Sequence, residues 1–154
     1  MSQQSSDRII EYVTFHVGGR LLGASVAEVH DVFRIHALTP APLARPDIAG
    51  LLNLRGRIIT AIDARVRLGL EPREGGYIGA MTIGINRDAE HYGLIVDSVG
   101  DVLRIPEDTL QPPPPSLDAT WRSVTIGVCK LPKALMIALD MPRMLDVPAQ
   151  RAAA

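Results

Sequence analysis

The sequence predicts an all-β protein in which two similar small barrels, each of about five strands, lie side by side. The first observation is an internal repeat, because Gly23–Ile35 returns as Gly93–Ile105 with seven of its thirteen residues identical. The second is a further repeat, in which the pattern of Gly50–Leu68 returns at Gly127–Leu145. The third is a series of short β-type segments separated by turn residues about every 8–12 residues, which is typical of sandwiches and barrels. A period this long indicates two like modules and excludes a solenoid of short repeats.

Length and composition fit one compact soluble unit. The chain has 154 residues, of which 47% are hydrophobic and 21% charged, and its formal net charge is −1. A net charge this close to zero does not indicate binding of nucleic acid, which requires an excess of positive charge. The single cysteine, Cys129, lies in an apolar run, so we expect a buried thiol and no internal disulfide. The sequence shows no signal peptide and no apolar run long enough for a membrane helix, so we expect a cytoplasmic protein without membrane insertion.

The first module is predicted from alternating side chains and turn residues. Its strands are expected at Glu11–Val17, Arg20–Ser25 and Arg57–Ile62. Gly18-Gly19 is expected to turn the chain between the first two. Val26–Arg34 is predicted to open with a helical turn and to continue as a strand, because its later residues are β-branched. Asp63 is expected to cap one helical turn that ends at Gly69.

The second module repeats this order. Its strands are expected at Tyr77–Asn86, Tyr92–Val99, Asp101–Ile105, Ser123–Lys130 and Ala134–Leu139. Gly100 is expected to form a turn before Asp101. Pro106–Thr109 is predicted to start a helical turn, because proline suits the first turn of a helix. Pro112–Pro115 must be extended, and Asp140–Leu145 mirrors the capped turn after the first module.

Residues for catalysis or metal binding are poorly supported. The nucleophile motif G-x-S-x-G is absent, and the four histidines show no metal-ligand spacing of the H-E-x-x-H type. His30 and His36 would share one face of a strand, so an incidental zinc site is the weaker alternative to solvated histidines. Asp97 and Asp101 could form a carboxylate pair, but nothing indicates an environment that raises one pKa. We therefore expect no enzyme activity, no metal and no cofactor.

The densest feature is the segment Gly50–Ile59, in which Arg55 interrupts an apolar stretch and precedes a glycine. A half-buried arginine needs a carboxylate, because an unpaired charge away from water is costly. Asp31 is one candidate partner, since it lies on a predicted strand of the same module. The alternative is that Arg55 points to solvent at a turn, and both alternatives stay open at this point.

These motifs together resemble the CheW-type chemotaxis coupling proteins. The family pattern is Asn-Leu-Arg-Gly, a strand that ends in Asp, an Arg and a short apolar cap, which here is NLRGRIITAIDARVRLGL at Asn53–Leu70. Similar patterns of the second half are YGLIVDSVGDVLRI at Tyr92–Ile105 and IGVCKLPKALMIALD at Ile126–Asp140. The resemblance covers about Glu11–Leu145.

The resemblance implies a fold of two packed five-stranded, Src-homology-3-like β-barrels with short helices around a shared core. It implies one CheW-like domain at residues 8–148, with the first barrel at roughly 11–72 and the second at roughly 77–145. An exchange of strands between the barrels is compatible with it. Residues 1–7 and 149–154 are expected to be flexible tails.

The resemblance also implies partners and a site. Family members link the cytoplasmic domains of chemoreceptors (methyl-accepting chemotaxis proteins) to the histidine kinase CheA, whose regulatory domain has the same fold. We expect an apolar groove between the barrels for the helical receptor tip, and exposed barrel ends for the kinase domain. The implied receptor-binding residues are Val29, Asp31, Gly50, Arg55, Val99 and Gly127. Asp31 stands where glutamate is usual, so its pair with Arg55 is expected to be longer or water-bridged.

Two alternatives to this adaptor remain. A small-ligand-binding double β-barrel would need several polar groups that converge in a deep pocket. An adaptor of a non-chemotactic receptor array would have the same fold and the same kinds of partner.

Overall fold

Short strands make up most of the chain. The computed structural model describes residues 8–42, 44–87 and 89–145, and the predicted tails 1–7 and 149–154 and the end of the predicted 8–148 domain lie outside them. The strands are β1 Ile9–Val17, β2 Arg20–Ser25, β3 Val29–Arg34, β4 Ile48–Leu54, β5 Arg57–Asp63, β6 Met81–Arg87, β7 Glu90–Val96, β8 Ser98–Pro106, β9 Thr125–Lys130 and β10 Leu135–Leu139. The α-helices are α1 Ala64–Arg67, α2 Ala119–Ser123 and α3 Met141–Leu145, and 3-10 turns lie at Val26–Glu28 and Glu107–Thr109.

The strands form two five-stranded sheets of equivalent topology. Sheet 1 has the order β8-β1-β2-β10-β9, and sheet 2 has the order β3-β6-β7-β5-β4. Each strand has a repeat mate five strands away in the chain. When each strand of sheet 1 is replaced by its repeat mate, the resulting order is that of sheet 2. The predicted all-β fold of two five-stranded units is confirmed, and the internal repeat corresponds to an equivalent strand order in the two sheets.

The sheets do not coincide with the chain halves 11–72 and 77–145 that we predict for the barrels. Strands β1 and β2 leave the first half and pair with β8 and β10, because the 3-10 turn at Val26–Glu28 redirects the chain so that β3 pairs with β6. Two parallel pairings join the halves, with Gly23 opposite Ala138 and Gly93 opposite Ala61. Both pairs are repeat mates of small residues, so the same contact is made twice. Neither half can complete its sheet alone.

A large shared core lies between the sheets. Phe15 and Leu22 enter it from sheet 1, Ile83 and Leu94 enter it from sheet 2, and all four are 0% exposed. Trp121 of α2 belongs to the same cluster. The cleft that we predict between the two halves is therefore filled by packed side chains. The expected receptor groove therefore cannot lie in the interior of this contact, where the side chains are packed.

Each predicted helical turn is present, and the turns after Asp63 and Asp140 are capped by these aspartates. Asp63 is 1% exposed, and its Oδ1 accepts hydrogen bonds from the backbone N–H groups of Arg65 and Val66 at 2.9 and 3.5 Å. Its repeat mate Asp140 caps α3 by accepting from Arg143 N at 3.2 Å. A side-chain acceptor at this position stabilises the start of a helix by about 1 kcal/mol.

Some elements differ from those predicted. The sequence patterns do not predict β4 or α2. In β4 the apolar side chains lie on both faces, so the alternation typical of a half-buried strand is not visible. Gly100 does not form a turn but lies within β8, in a bulge where Gly100 and Asp101 oppose Thr14. A bulge is the other conformation that an isolated strand glycine favours. No helix in the described ranges is long and apolar enough to cross a membrane.

The proline run at 112–115 is held against α2 by one arginine. Arg122 Nη2 donates hydrogen bonds to the carbonyl oxygens of Pro115 at 2.7 Å and Leu117 at 3.1 Å. Before the run, Gln111 exchanges two backbone hydrogen bonds of 2.8 Å with Val128 in β9. The extended prolines therefore connect the edge of sheet 1 to α2, and Trp121 of this helix packs in the core.

Alkaline pH is expected to weaken the fold through Tyr77. Burial, and then the hydrogen bond of 2.7 Å that Tyr77 Oη donates to Asp63 Oδ2, raise the pKa of Tyr77 to about 12. The contribution of this phenol to stability is complete below the pKa of an unfolded tyrosine, about 10, and is lost as the pH rises towards 12. Tyr77→Phe should therefore lose less free energy of unfolding than wild type between pH 9 and pH 11.5 in urea titrations. Equal losses in both proteins would contradict this assignment.

Candidate functional site

Asp31 is positioned by a β-bulge in β3. Val29 pairs with Ile85 and Asp31 pairs with Gly84, so His30 is the extra residue between them. A Cβ atom on Gly84 would lie 2.2 Å from Asp31 Oδ1, which shows that the carboxylate lies directly over the glycine. Gly84 is a site residue that the sequence reasoning missed. The signal that could have found it is a lone glycine inside a strongly apolar strand, which often marks a close approach.

Arg55 is positioned by the hairpin turn between β4 and β5. Arg55 and Gly56 form this two-residue turn, with φ values of +53° and +85°. Positive φ at both positions is typical of type I′ hairpins, in which asparagine or glycine usually occupies the first position. Asn53 Oδ1 accepts a hydrogen bond of 2.9 Å from Gly56 N and supports the turn. An arginine in this left-handed backbone conformation destabilises the fold by roughly 1–2 kcal/mol, so the conformation of the turn does not explain why arginine occupies this position.

The bulge and the turn bring Asp31 and Arg55 into direct contact. Arg55 Nη1 donates directly to Asp31 Oδ2 at 3.2 Å, so the pair is not water-bridged but is longer than the roughly 2.7–2.9 Å of a typical arginine–carboxylate hydrogen bond. The side chain of Asp31 is 26% exposed and that of Arg55 is 75% exposed. Both sequence alternatives for Arg55 therefore hold in part, because the guanidinium has a carboxylate partner and still faces solvent. Such a group is oriented and remains free to contact another protein.

The Asp31–Arg55 pair borders a hollow of about 310 Å³, which we call the polar hollow. Its charged and polar wall consists of His30, Asp31, Arg55, Arg57, Asn86 and His91. Its floor is apolar and includes Leu54, Ile59 and Ile85. His91 Nδ1 lies 2.6 Å from Asn86 Oδ1, which orients that imidazole at the rim.

A second hollow of about 420 Å³, which we call the apolar hollow, borders the same hairpin. Most of its wall is hydrophobic, from Phe33, Ile35, Leu51, Leu52, Leu54 and Ile58. Leu51 is 39% and Ile58 is 59% exposed, so this surface is open to a partner. Leu54 lines both hollows, and we call the combined surface the β4–β5 groove. An apolar floor with a polar rim is what an amphipathic helix requires of its groove.

The other predicted site residues do not meet in one cleft. Val29 and Val99 are repeat mates, and both pack against the shared core at half-buried positions. Gly50 and Gly127 are also repeat mates, but they lie in β4 and β9, the edge strands of different sheets. Val29, Gly50, Val99 and Gly127 line neither of the two hollows described above, and their expected part in receptor binding stays a prediction.

Gly50 and Gly127 have the same local function in their two sheets. A Cβ atom on Gly50 would lie 2.4 Å from the carbonyl oxygen of Thr39, and one on Gly127 would lie 2.9 Å from that of Gln111. Thr39 exchanges two backbone hydrogen bonds of 2.8 Å with Leu51, as Gln111 does with its partner in β9. Both glycines therefore let a loop cross closely over an edge strand, which positions the apolar hollow in sheet 2.

The ion pair of sheet 2 has no counterpart in sheet 1. Asp101 is the repeat mate of Asp31 and also lies at a bulge, but Pro132 occupies the position equivalent to Arg55. Thr14 replaces Gly84, and its hydroxyl donates to the carbonyl oxygen of Asp101 at 2.6 Å. Among the described residues, no cation lies within 4.0 Å of the Asp101 carboxylate. Within the described residues, the aspartate–arginine ion pair at the bulge is therefore a feature of sheet 2.

Asp97 does not pair with Asp101 but contacts α1 and the turn between β1 and β2. It accepts hydrogen bonds from Arg65 Nε at 2.9 Å, Arg65 Nη2 at 2.8 Å and the backbone N–H of Gly18 at 2.8 Å. Burial alone would raise the pKa of Asp97, but these hydrogen bonds hold it below its usual value. These hydrogen bonds keep the carboxylate ionised and connect the segment between β7 and β8 to α1 and to the β1–β2 turn.

The histidine pair that could have bound zinc is separated by the end of a strand. β3 ends at Arg34, so His36 lies outside it, and His36 lines the apolar hollow while His30 lines the polar one. No cluster of three or more potential metal ligands is found in the described parts of the chain.

The chain is similar to proteins of one family over nearly its whole length. The family model described as CheW-like domain matches residues 11–149. The chemotaxis protein CheW of Treponema pallidum is 27% identical over 145 residues, which cover 92% of this chain and 85% of that protein. The chemotaxis protein CheW of Bacillus subtilis is 28% identical, with 92% and 90% covered. The crystal structure of the scaffolding protein TtCheW from Thermoanaerobacter tengcongensis is 29% identical, with 92% and 90% covered and a TM-score of 0.79.

Proposed function

This chain belongs to the family of CheW-like domains, and from that premise we propose that it is a non-enzymatic adaptor that couples the cytoplasmic tips of chemoreceptors to the histidine kinase CheA. Relatives named chemotaxis protein CheW and a solved scaffolding protein of the same fold support a role in chemotaxis signalling. The observation that carries the proposal is the β4–β5 groove, where an exposed and oriented arginine borders an open apolar surface. Receptor tips lie in the cytoplasm, so the adaptor is expected to work there.

The β4–β5 groove is the proposed receptor surface. A helical receptor tip would place its apolar side chains in the apolar hollow and its polar side chains along the rim at Asp31 and Arg55. This assignment keeps Arg55 and Asp31 as receptor-binding residues and moves the site from the contact between the sheets to the outer hairpin of sheet 2. Val29, Gly50, Val99 and Gly127 would act by holding the fold around it.

The proposed kinase surface lies on exposed apolar side chains of sheet 1, whose repeat mates in sheet 2 are also exposed. Val102 in β8 is 52% exposed, and its repeat mate Val32 in β3 is 40% exposed. Leu135 in β10 is 39% exposed, and its repeat mate is Ile58. Isolated exposed apolar residues are ordinary on protein surfaces, but a matched set on both sheets suits association with a domain of the same fold. The regulatory domain of CheA is such a domain.

Val102→Asp is expected to weaken binding of the CheA regulatory domain roughly tenfold, because a charge would be buried at an apolar contact. Binding of a receptor-tip fragment should not change, since Val102 lies on sheet 1. Calorimetry with each partner measures both effects, and Ser98→Asp in the same strand is the matched control. Unchanged kinase-domain binding by Val102→Asp would contradict this surface.

The alternatives are separated by simple binding tests. A small-ligand-binding barrel would raise its melting temperature in a metabolite screen and would not bind a kinase regulatory domain. An adaptor of a non-chemotactic array would use the same two surfaces, so pull-downs with the kinase regulatory domains encoded in the same genome discriminate between the two adaptors.

A further inference from the structure

The charges of the polar hollow do not balance. Asp31 is the carboxylate in its wall, and its oxygens are directed at Arg55 and at His30, whose Nδ1 lies 3.8 Å away. Glu90 lies nearby in the chain but accepts a hydrogen bond from Tyr92 and is not part of the wall. One carboxylate therefore faces two arginines and two histidines.

Among the residues that the structure describes, Arg57 is an arginine of the polar hollow that has no partner. It follows the hairpin turn, pairs with Leu54 across it and is exposed. Within the described part of the chain, no carboxylate lies within 4.0 Å of its guanidinium and no hydrogen bond to its side chain is formed. Beside it, Leu54 and Ile59 form apolar floor, which lowers the local dielectric and strengthens an ion pair made there.

The repeat supplies an internal comparison. In sheet 1 the positions equivalent to Arg55 and Arg57 are Pro132 and Ala134, and the position equivalent to His30 is Gly100. The bulge and its aspartate persist in both sheets, so the fold needs them. Basic side chains at these three positions occur in sheet 2 alone, while Lys133 stands at the position of Gly56 in sheet 1, and they are not needed for the bulge. Their function is therefore one that the fold of sheet 1 lacks.

We propose that the polar hollow binds a carboxylate side chain, Glu or Asp, of the partner helix, with Arg57 as the residue that contacts it. This inference rests on the proposed function, because it names the chemistry by which the β4–β5 groove recognises the receptor tip. The Asp31–Arg55 pair orients the second guanidinium beside the same carboxylate. Apolar side chains one or two helical turns away on the partner would occupy the apolar hollow, which fixes the direction of the helix in the groove.

A double-mutant cycle tests the inference. The probe is a receptor cytoplasmic-tip fragment encoded in the same genome, with each acidic residue replaced singly by its amide. Arg57→Gln is expected to weaken binding of the unmodified fragment roughly fivefold by calorimetry at low salt. It should have no further effect on the one fragment that has lost the contacting carboxylate. Arg57→Lys should retain most of the affinity, and added salt should reduce the difference between wild type and Arg57→Gln.

The matched control is Arg104→Gln, which removes an arginine that is 72% exposed on sheet 1 and should leave binding unchanged. If the fragment binds wild type and Arg57→Gln equally, or if no amide substitution in the fragment couples to Arg57, the carboxylate assignment is overturned while the proposed function survives. If the fragment does not bind wild type at all, the proposed function and this inference both fail.

Discussion

Arg55→Ala is expected to bind a receptor-tip fragment roughly 30-fold more weakly than wild type while it remains folded, an effect of about 2 kcal/mol. Arg55 is 75% exposed, and its ion pair with Asp31 contributes about 1 kcal/mol or less to folding. In a complex the same guanidinium loses its water, so its contacts there are worth more than in the free protein. Calorimetry gives the affinity, and circular dichroism gives the melting temperature.

Two further variants separate the guanidinium from the backbone of the turn. Arg55→Asn suits the φ value of +53° better than arginine does, so it should be at least as stable as wild type and should still lose the affinity. Gly84→Ala keeps Arg55 but places a methyl group where the Asp31 carboxylate lies, and it should lose part of the affinity. Wild-type affinity in Arg55→Asn would show that the arginine is not a receptor contact.

Gly50→Ala is expected to lose about 3 kcal/mol or more of the free energy of unfolding, the largest stability effect that we predict for a single methyl group. Two causes act together. The φ value of +154° is one that other residues rarely adopt, and the new Cβ atom would lie 2.4 Å from the carbonyl oxygen of Thr39. Backbone atoms cannot move aside as a flexible side chain can, so the loop that borders the apolar hollow must shift. Urea denaturation measures the loss.

Gly19→Ala is the control for strain without a clash. Its φ value is +82° and no atom lies within 4 Å of the added Cβ, so it should lose only about 1 kcal/mol. Gly127→Ala should lie between the two, because its φ value is ordinary and its Cβ would lie 2.9 Å from a backbone oxygen. Similar losses in Gly50→Ala and Gly19→Ala would show that the contact with Thr39 is not what requires glycine there.

Much of the fold could be predicted because its signals are local and occur twice. Alternating side chains, the Gly18-Gly19 turn and the caps at Asp63 and Asp140 depend on neighbouring residues, and the structure contains all of them. The exchange of β1 and β2 between the halves is a long-range pairing. A repeat shows that two segments are alike, but it does not show which strands pair.

The sequence left two alternatives open for Arg55, a carboxylate partner or a turn that faces solvent. The structure combines them, because Arg55 contacts Asp31 and is 75% exposed at the hairpin turn. The position of the groove could not be predicted, because it depends on the strand exchange that fills the contact between the halves. Gly84 and Arg57 were missed because their roles depend on what lies opposite them in space.

The most direct test of the adaptor role is whether both partners bind at once. A receptor-tip fragment is titrated by calorimetry into this protein, alone and after saturation with the CheA regulatory domain. The proposed receptor groove lies on sheet 2 and the proposed kinase surface on sheet 1, so the fragment should bind with the same affinity in both titrations and form a ternary complex. Loss of receptor binding in the saturated sample, or absence of binding to either partner, would contradict the account.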